Sequence, residues 1–402
     1  IDKAQAGDGK AYWDSWVARA ATDPAAALTV QRYFTRPAEE LYDLRVDPLE
    51  QHNLAADSRY AGSLASLRAA LDGWMTAQGD EGLRTEETMG GVSPKAAKPP
   101  NVVVILADDL GYGDLGCYGR EDVRTPALDG LAAAGVRFTQ CYANGPECTP
   151  TRAALLTGRY QQRVGGLECA LGTGNVGRYD DAIRLRQTGD LGLPVEETSI
   201  ARMVQLAGYA TGIVGKWHLG DEPEFSPNRN GFDHAFYALC GGMDYFHHVE
   251  PGGEHVLRLH RQPEHRHGYF TDLVSAEAVQ FIARPAAAPF FLYVAYTAPH
   301  SPFQGPEDRL PEPLPADSPR YHQGRAPTKT YCAMIERMDA GIGRILSTLD
   351  RQGQADNTVV IFTSDNGGTR SARNAPFSGH KGSTWEGGIR VPAIVRWPRM
   401  LP

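Results

Sequence analysis

Residues 101–109 read NVVVILADD and contain the run that decides the fold. Residues 102–106 (VVVIL) are continuous, apolar and mostly β-branched, which is typical of a central parallel strand covered on both faces. Two adjacent carboxylates, Asp108 and Asp109, follow this run directly. In open α/β sheets, ligands bind beyond the carboxyl ends of the strands. The stretch therefore predicts a buried parallel sheet with a site at its end.

An apolar run that ends in polar residues recurs along the chain. The further runs are residues 210–214, 289–296 and 358–362. The polar residues that follow them are Lys216 and His218, His300, and Asp365 and Asn366. Helical periodicity fills the intervals at residues 127–134, 198–207, 273–283 and 331–349. This alternation predicts an α/β fold with a largely parallel central sheet and helices on both faces.

Composition is that of a globular protein. Of the 402 residues, 42% are hydrophobic, and no uninterrupted apolar run has the length of a membrane span. The net charge is −8 with both signs interspersed, which argues against nucleic acid as the main partner. The six cysteines form no CxxC pair and no zinc-type spacing, so one or two disulfides stay open. The given chain starts with Ile1 and shows no signal peptide.

A second informative stretch is residues 148–158 (CTPTRAALLTG). Pro150 suits the first position of a helix and Gly158 its end, which places Cys148 at a helix N-terminus. Free N–H groups and the helix dipole favour an anion there, and Arg152 lies one turn further on. Cys148 is therefore either a nucleophile beside an anion-binding site or a buried structural cysteine, and these residues alone leave both open.

The carboxyl ends of the predicted strands supply the ligands of a hard cation. Asp108, Asp109, Asp365 and Asn366 offer oxygen atoms without a thiolate or imidazole, which suits Ca²⁺ or Mg²⁺ rather than zinc. Adjacent carboxylates repel each other unless a cation lies between them. Each pair alone is explained as well by a turn. Together, at strand ends, they indicate a metal site.

Cationic and imidazole side chains reach the same predicted edge. Arg152, Lys216, His218 and His300 would hold an anionic ester and stabilise charge on its leaving oxygen. Histidine can donate or accept a proton near neutral pH, although a single histidine at a strand end is as readily structural. Lys381, on a glycine-rich loop, either reaches this site or is an ordinary solvated lysine.

Histidines are also concentrated between residues 243 and 267. They are His247, His248, His255, His260, His265 and His267. Their spacing matches no zinc site. We expect a polar surface loop near the mouth of the pocket.

Residues 148–158 resemble the first signature of the type I sulfatases, a family of the alkaline-phosphatase-like superfamily. Residues 208–218 (GYATGIVGKWH) resemble the second signature. The resemblance extends from about residue 100 to residue 402. It departs at Glu147, where the family usually has an uncharged residue, whereas Thr151 is an accepted variant of serine.

The resemblance implies a sulfuric ester hydrolase with an alkaline-phosphatase-like fold. A formylglycine-generating maturation enzyme would convert Cys148 to Cα-formylglycine, whose hydrate attacks sulfur. The implied catalytic set is Cys148, Arg152, Lys216, His218, His300, Lys381 and Asp365. The implied metal set is Asp108, Asp109, Cys148, Asp365 and Asn366, with Ca²⁺ favoured over Mg²⁺.

The family also implies a role for each catalytic side chain. Asp365 would be the base for the attack, and Arg152 would steady the diol. His300 and Lys381 would hold the sulfate and help to protonate the leaving oxygen. His218, aided by Lys216, would then remove a proton and eliminate sulfate.

Residues 1–88 are expected to form a small α+β segment before a linker at 89–99 and the catalytic domain at 100–402. Residues 38–44 (AEELYDL) have strand character at their end, and residues 63–77 have the periodicity of an amphipathic helix. The segment resembles a C-terminal subdomain of sulfatases, yet it precedes the catalytic domain, which we expect to be truncated at its C-terminal side. A piece of a tandem fusion explains this order better than a permuted chain does.

Two other functions stay open beside sulfate ester hydrolysis. One is a phosphate or phosphonate ester hydrolase of the same superfamily, and the other is a truncated, non-catalytic chain that binds glycans. A requirement for formylglycine at residue 148 would favour a sulfatase over the phosphate or phosphonate ester hydrolase. The expected substrate is a sulfated carbohydrate or an aryl sulfate, and the resemblance favours a periplasmic or secreted location.

Overall fold

The structure is a computed structural model. It describes residues 8–34, 37, 39–47, 52–78, 99–172, 180–284, 288–322 and 326–401. The chain divides into two compact units, Ile1–Ala96 and Ala97–Pro402, and each is described by itself. Most of the predicted linker at residues 89–99 lies outside the described residues.

The described part of the first unit is helical. Its helices are α1 (Asp8–Ala20), α2 (Pro24–Phe34) and α3 (Ala61–Gln78). Helix α3 confirms the helix predicted at residues 63–77. Its apolar stripe is nevertheless more than half exposed, at 55% for Leu67, 54% for Leu71 and 59% for Trp74. The periodicity therefore predicted the helix correctly, but these three apolar side chains are not buried.

The strand predicted at the end of residues 38–44 is wrong, and no strand occurs among the described residues of this unit. The backbone groups of Leu41 are already used within a loop. Its N–H donates to Asn53 Oδ1 at 2.9 Å, and its carbonyl accepts from the N–H of Leu54 at 2.8 Å. Because these backbone groups already have hydrogen-bond partners within the loop, they are not available to pair with a strand. The expected α+β segment is helix and loop where it is described.

The second unit is built on a central sheet. Its strands are β1 (Asn101–Ala107), β2 (Val136–Phe138), β3 (Ala210–Lys216), β4 (His234–Ala238), β5 (Leu257–Leu259), β6 (Gln262–Pro263), β7 (Phe290–Ala295), β8 (Thr358–Ser364) and β9 (Ala393–Arg396). Their order is β2-β9-β8-β1-β7-β3-β4-β5-β6. The neighbours from β8 to β4 are parallel, whereas the outer strands pair antiparallel. The predicted largely parallel sheet is confirmed.

Helices cover both faces of this sheet. They are α4 (Pro126–Ala133), α5 (Cys148–Thr157), α6 (Asp180–Thr188), α7 (Ile200–Leu206), α8 (Phe270–Ala283), α9 (Pro319–His322), α10 (Thr328–Arg351) and α11 (Glu386–Ile389). Val103 and Ile105 join the apolar core that contains residues of α4, α8 and α10. Val104 and Leu106 join the core that contains residues of α5 and α7. This alternation follows from the pleat of a strand buried on both faces.

The structure also bears on membrane spans and on disulfides. No helix in the described ranges is long and apolar enough to cross a membrane. All six cysteines are free thiols, so the disulfides left open by the sequence do not form in this structure.

Candidate functional site

The carboxyl ends of four neighbouring strands converge on one site. Asp108 and Asp109 follow β1, and Asp365 and Asn366 follow β8. Lys216 ends β3, with His218 beyond it, and His300 follows β7. Because β8, β1, β7 and β3 are successive neighbours, their polar ends meet at one edge. This is the convergence that the sequence predicted.

Helix α5 brings Cys148 to the same edge. The helix begins at Cys148, so Pro150 is its third residue and not its first, as predicted. A proline is still tolerated there because N–H groups of the first turn have no partner within the helix. Gly158 ends the helix with a φ of 66°, and its N–H donates to the carbonyl of Ala154. The Cys148 thiol is 1% exposed.

Two buried cations neutralise two buried carboxylates next to Cys148. Arg152 donates to Asp365 Oδ2 from Nη2 at 2.9 Å and from Nε at 3.2 Å. The same Nη2 lies 3.5 Å from Asp108 Oδ2, which also binds the ammonium group of Lys216. All four side chains are fully buried. Such a group is stable only while its charges remain matched.

Asp109 forms the centre of a second charged group that is partly open to solvent. Its carboxylate accepts from Lys381 Nζ at 2.9 Å and from Asn366 Nδ2 at 2.7 Å. His300 Nε2 lies 3.6 Å away. Burial opposes ionisation, but the charge of Lys381 and the hydrogen bonds from Lys381 and Asn366 help to lower the pKa of Asp109. Lys381, whose role the sequence left open, therefore belongs to this site.

Two buried oxygen atoms at the site lack a hydrogen-bond partner in the part of the chain that the structure describes. They are Asp108 Oδ1 and Asn366 Oδ1. One ligand atom each from Asp108, Cys148 and Asp365 lie within 4.8 Å of one another. Buried polar atoms without partners are uncommon, and hard oxygen ligands suit Ca²⁺ or Mg²⁺. The residues present fit a divalent cation.

Calcium is expected to stabilise the protein. At a free concentration 100 times its dissociation constant, it should add about 2.7 kcal/mol to the free energy of unfolding. The measurement is thermal unfolding with Ca²⁺ and with a chelator. Asn366→Leu, which removes one unpartnered oxygen, should reduce the shift in Tm, whereas Glu307→Gln at an exposed position should keep it. Equal unfolding temperatures of the wild type with Ca²⁺ and with chelator would rule out this cation site.

Two histidines face the site in defined orientations. His218 Nε2 lies 2.5 Å from the carbonyl of Leu171, and its Nδ1 is buried without a partner in the described part of the chain. His300 Nδ1 bonds the carbonyl of Ser301, which leaves Nε2 facing Asp109. Burial, followed by the charge of Lys381, lowers the pKa of His300 to about 3. Burial and the charge of Lys216 place the pKa of His218 well below its usual value.

The cluster of histidines predicted as a polar surface loop is partly buried. His248 is 1% exposed, and its Nε2 bonds the carbonyl of Gly268 at 3.2 Å. His247 Nδ1 lies 3.1 Å from Asp244 Oδ1. Within the described ranges, the candidate metal-ligand groups include none of these six histidines. The surface-loop prediction is therefore wrong for His248, which packs in the core because its ring contacts Phe270.

Acid is expected to destabilise the fold through the buried His248. Burial lowers the pKa of His248 to about 4, whereas an unfolded histidine titrates near 6.5. Between these values the unfolded chain binds the extra proton, so stability is present above pH 6.5 and is lost as the pH falls towards 4. The slope is about 1.4 kcal/mol per pH unit for each such histidine. Urea unfolding at pH 7 and pH 5 measures it.

His248→Gln supplies the matched control for that titration. Glutamine retains an N–H donor for the carbonyl of Gly268 but has no titrating ring. The variant should therefore show a smaller loss of stability between pH 7 and pH 5. An identical loss in both proteins would show that His248 does not contribute.

The residues that hold the catalytic candidates in place carry no recognisable signal in the sequence. Tyr245 is fully buried, and its hydroxyl donates to the carbonyl of His300 at 2.9 Å. The Thr149 hydroxyl donates to the carbonyl of His218 at 3.1 Å. Thr149 belongs to residues 148–158, but its partner His218 is distant in the sequence, so no local pattern links the two. Tyr245 likewise lay beside the histidines without a pattern that links it to His300.

This geometry defines a class of protein. The class is that of α/β proteins in which carboxylate and amide oxygens lie beside cationic side chains at the end of the sheet, an arrangement suited to a tetrahedral oxyanion and its ester. The sequence profile named Sulfatase matches residues 100–402. The chain belongs to the sulfatase family.

Individual relatives show the extent of the similarity. Mouse steryl-sulfatase is 34% identical over 392 residues, covering 76% of this chain and 59% of the relative. Dog N-acetylgalactosamine-6-sulfatase is 35% identical over 330 residues, with coverages of 76% and 59%. The crystal structure of Ps i-CgsB in complex with k-i-k-neocarrahexaose is 34% identical, with a TM-score of 0.63 and coverages of 76% and 67%. The chain thus spans 59% of the length of these two curated relatives.

Proposed function

We propose that this chain hydrolyses sulfate esters at the site around Cys148, with a bound Ca²⁺ and with Cys148 converted to Cα-formylglycine. The observation that supports it is the set of unpartnered buried oxygens beside Cys148, bordered by Arg152, Lys216 and Lys381. A cation and an anionic ester would satisfy these groups together.

The state of the thiol supports its modification. Burial raises the pKa of Cys148, although Lys216 and Lys381 oppose that shift. The thiol therefore stays protonated at neutral pH, and a protonated thiol is a poor nucleophile. As hydrated formylglycine, residue 148 would supply two hydroxyl groups on one carbon. The maturation enzyme that makes this residue is a partner implied by family membership.

The cation would be held by Asp108, Asp109, Asp365, Asn366 and residue 148. When bound, Ca²⁺ would neutralise the carboxylates and favour negative charge on the oxygens beside it. Arg152 and Lys216 bind the Oδ2 atoms of Asp365 and Asp108. Asp108 Oδ1 and Asn366 Oδ1, which have no hydrogen-bond partner among the described residues, would remain available to the ion.

Asp365 is suited to accept the proton of the attacking hydroxyl. Burial and the neighbouring charge of Asp108 raise its pKa to about 6, against the opposing effect of Arg152. A bound Ca²⁺ would lower this pKa again and keep the carboxylate ionised, which is the form that accepts a proton. Arg152 holds one oxygen of this carboxylate, and the Asp109 N–H donates to the other at 3.2 Å.

Exposure separates the groups that support the site from those that reach the substrate. The side chains of Arg152 and Lys216 are fully buried, whereas His300 is 14% and Lys381 is 22% exposed. Burial opposes protonation of Lys381, but the charge of Asp109 raises its pKa, so Lys381 stays cationic. We assign sulfate binding to Lys381 and leaving-group protonation to His300, because a bound anion would raise the low pKa of His300.

The proposed substrate class is a sulfated carbohydrate. It is supported by the relative named for N-acetylgalactosamine-6-sulfatase activity and by the structural neighbour solved with an oligosaccharide. An aryl sulfate is the second substrate to test, since the reacting sulfate group is the same.

The test compares sulfate and phosphate esters of one alcohol. The full chain, co-expressed with a maturation enzyme, should release sulfate, and Cys148→Ala should release none. The non-catalytic alternative predicts no release by either protein despite formylglycine. Faster hydrolysis of the phosphate ester, without a need for formylglycine, would instead identify a phosphate ester hydrolase.

A further inference from the structure

The residues on either side of Cys148 hold one short loop. Glu147 Oε2 accepts from the N–H of Ala170 at 2.9 Å. Thr149 Oγ1 accepts from the N–H of Leu171 at 3.0 Å. Two consecutive amides of the loop are thus bound by the residues before and after the nucleophile candidate. This contact gives a structural role to Glu147, which is unusual at its position in the signature.

The same loop reaches His218. The carbonyl of Leu171 lies 2.5 Å from His218 Nε2, and the Thr149 hydroxyl donates to the carbonyl of His218 at 3.1 Å. Thr149 is fully buried, so no water competes for its hydroxyl. One hydroxyl therefore connects the backbone of the histidine to the backbone of the residue that binds its ring.

This contact selects one tautomer of the imidazole. A carbonyl oxygen only accepts hydrogen bonds, so Nε2 of His218 must carry the hydrogen. Burial and the charge of Lys216 keep the ring neutral by lowering its pKa. Nδ1 then has a free lone pair, and it is buried without a partner in the described part of the chain.

We propose that Thr149 is a positioning residue that keeps the Leu171 carbonyl on Nε2, so that Nδ1 is the proton-accepting atom of His218. The proposal rests on the proposed function. In the sulfate-releasing step, Nδ1 takes the proton of the free hydroxyl on residue 148. The carbon–oxygen bond to sulfate breaks, sulfate leaves with that electron pair, and the O–H pair forms the new carbonyl bond. The other tautomer presents an N–H to this hydroxyl and cannot accept its proton.

The kinetic test is Thr149→Val, which keeps the side-chain shape and removes both hydrogen bonds. With an aryl sulfate, kcat should fall about tenfold, which is about 1.4 kcal/mol in the barrier, a loss that two removed hydrogen bonds can account for. The value of kcat/KM should change less than twofold, because it reports the steps before sulfate release. A burst of released phenol should precede the slow steady state. Thr149→Ser, which retains the hydroxyl, should behave as the wild type.

A second readout does not depend on turnover. In the unmodified chain, ¹⁵N chemical shifts of the His218 ring should show a protonated Nε2 and an unprotonated Nδ1, with the signals assigned by their loss in His218→Gln. Thr149→Val should give a mixture of tautomers, and Thr149→Ala makes the same deletion if valine prevents folding. Wild-type signals in the variant that folds, or unchanged kcat, would overturn the proposal. A wild type that hydrolyses no sulfate ester would overturn the proposed function, while the ring signals would still show whether Thr149 fixes the tautomer.

Discussion

Arg152→Met should lower the free energy of unfolding by about 3–5 kcal/mol in the absence of Ca²⁺. The substitution keeps most of the side-chain volume but removes the cation that binds Asp365 at 2.9 Å and lies 3.5 Å from Asp108. Of the two fully buried carboxylates, Asp108 then keeps the ammonium group of Lys216, whereas Asp365 loses the cation that binds it. Added Ca²⁺ should restore part of the loss, because the ion supplies the missing positive charge. Urea unfolding with Ca²⁺ and with chelator measures both effects.

The matched control for this substitution is Arg159→Met in the loop that follows α5. Arg159 binds Glu197 at 3.0 Å, but its side chain is 51% exposed. A solvated ion pair contributes only about 0.2–1 kcal/mol, so this variant should be close to the wild type. Equal losses for the two variants would show that the buried charge network has no special weight.

His300→Ala and Lys381→Ala should differ in their dependence on the leaving group. Without its proton donor, His300→Ala should lose about 100-fold or more in kcat/KM with an alkyl sulfate. It should lose much less with a nitrophenyl sulfate, whose leaving oxygen needs no proton. Lys381→Ala removes a charge from the sulfate itself, so its loss of about 100- to 1000-fold should be similar for both esters. The measurement is kcat/KM for each ester.

Lys329→Ala, at an exposed position near the start of α10, controls for a general effect of removing a lysine. It should leave both rates unchanged. If His300→Ala loses activity equally with both esters, His300 is not the proton donor. If Lys381→Ala shows the strong dependence on the leaving group, the two assignments must be exchanged.

The sheet was predictable because its strands are long, apolar and followed by polar residues. The run at residues 102–106 became β1 (Asn101–Ala107), with one more residue at each end. Local pattern is sufficient for such strands, since burial on both faces requires continuous apolar side chains. The same reasoning failed near residue 44, where a side chain, that of Asn53, satisfies the backbone of Leu41.

The chemistry of the site was predictable only as a set of residue types. The sequence predicted Asp108 and Asp365 at strand ends. It did not predict which cation binds each carboxylate. Arg152 joins these two carboxylates across three separate segments of the chain. The contact of Leu171 with His218 also depends on tertiary structure, because no periodic pattern links the two positions. Such contacts determine the tautomer of His218 and the pKa values of the site residues, so these properties could be assigned only from the structure.

The formylglycine content of the chain should determine its rate of sulfate release. Preparations of the full chain with different degrees of maturation are digested, and the mass of the peptide with residue 148 gives the modified fraction. The same preparations are assayed with an aryl sulfate and Ca²⁺. The rate should be proportional to that fraction, with no turnover when Cys148 is unmodified. A rate independent of the fraction, or no sulfate release at full conversion, would contradict the proposed sulfatase function.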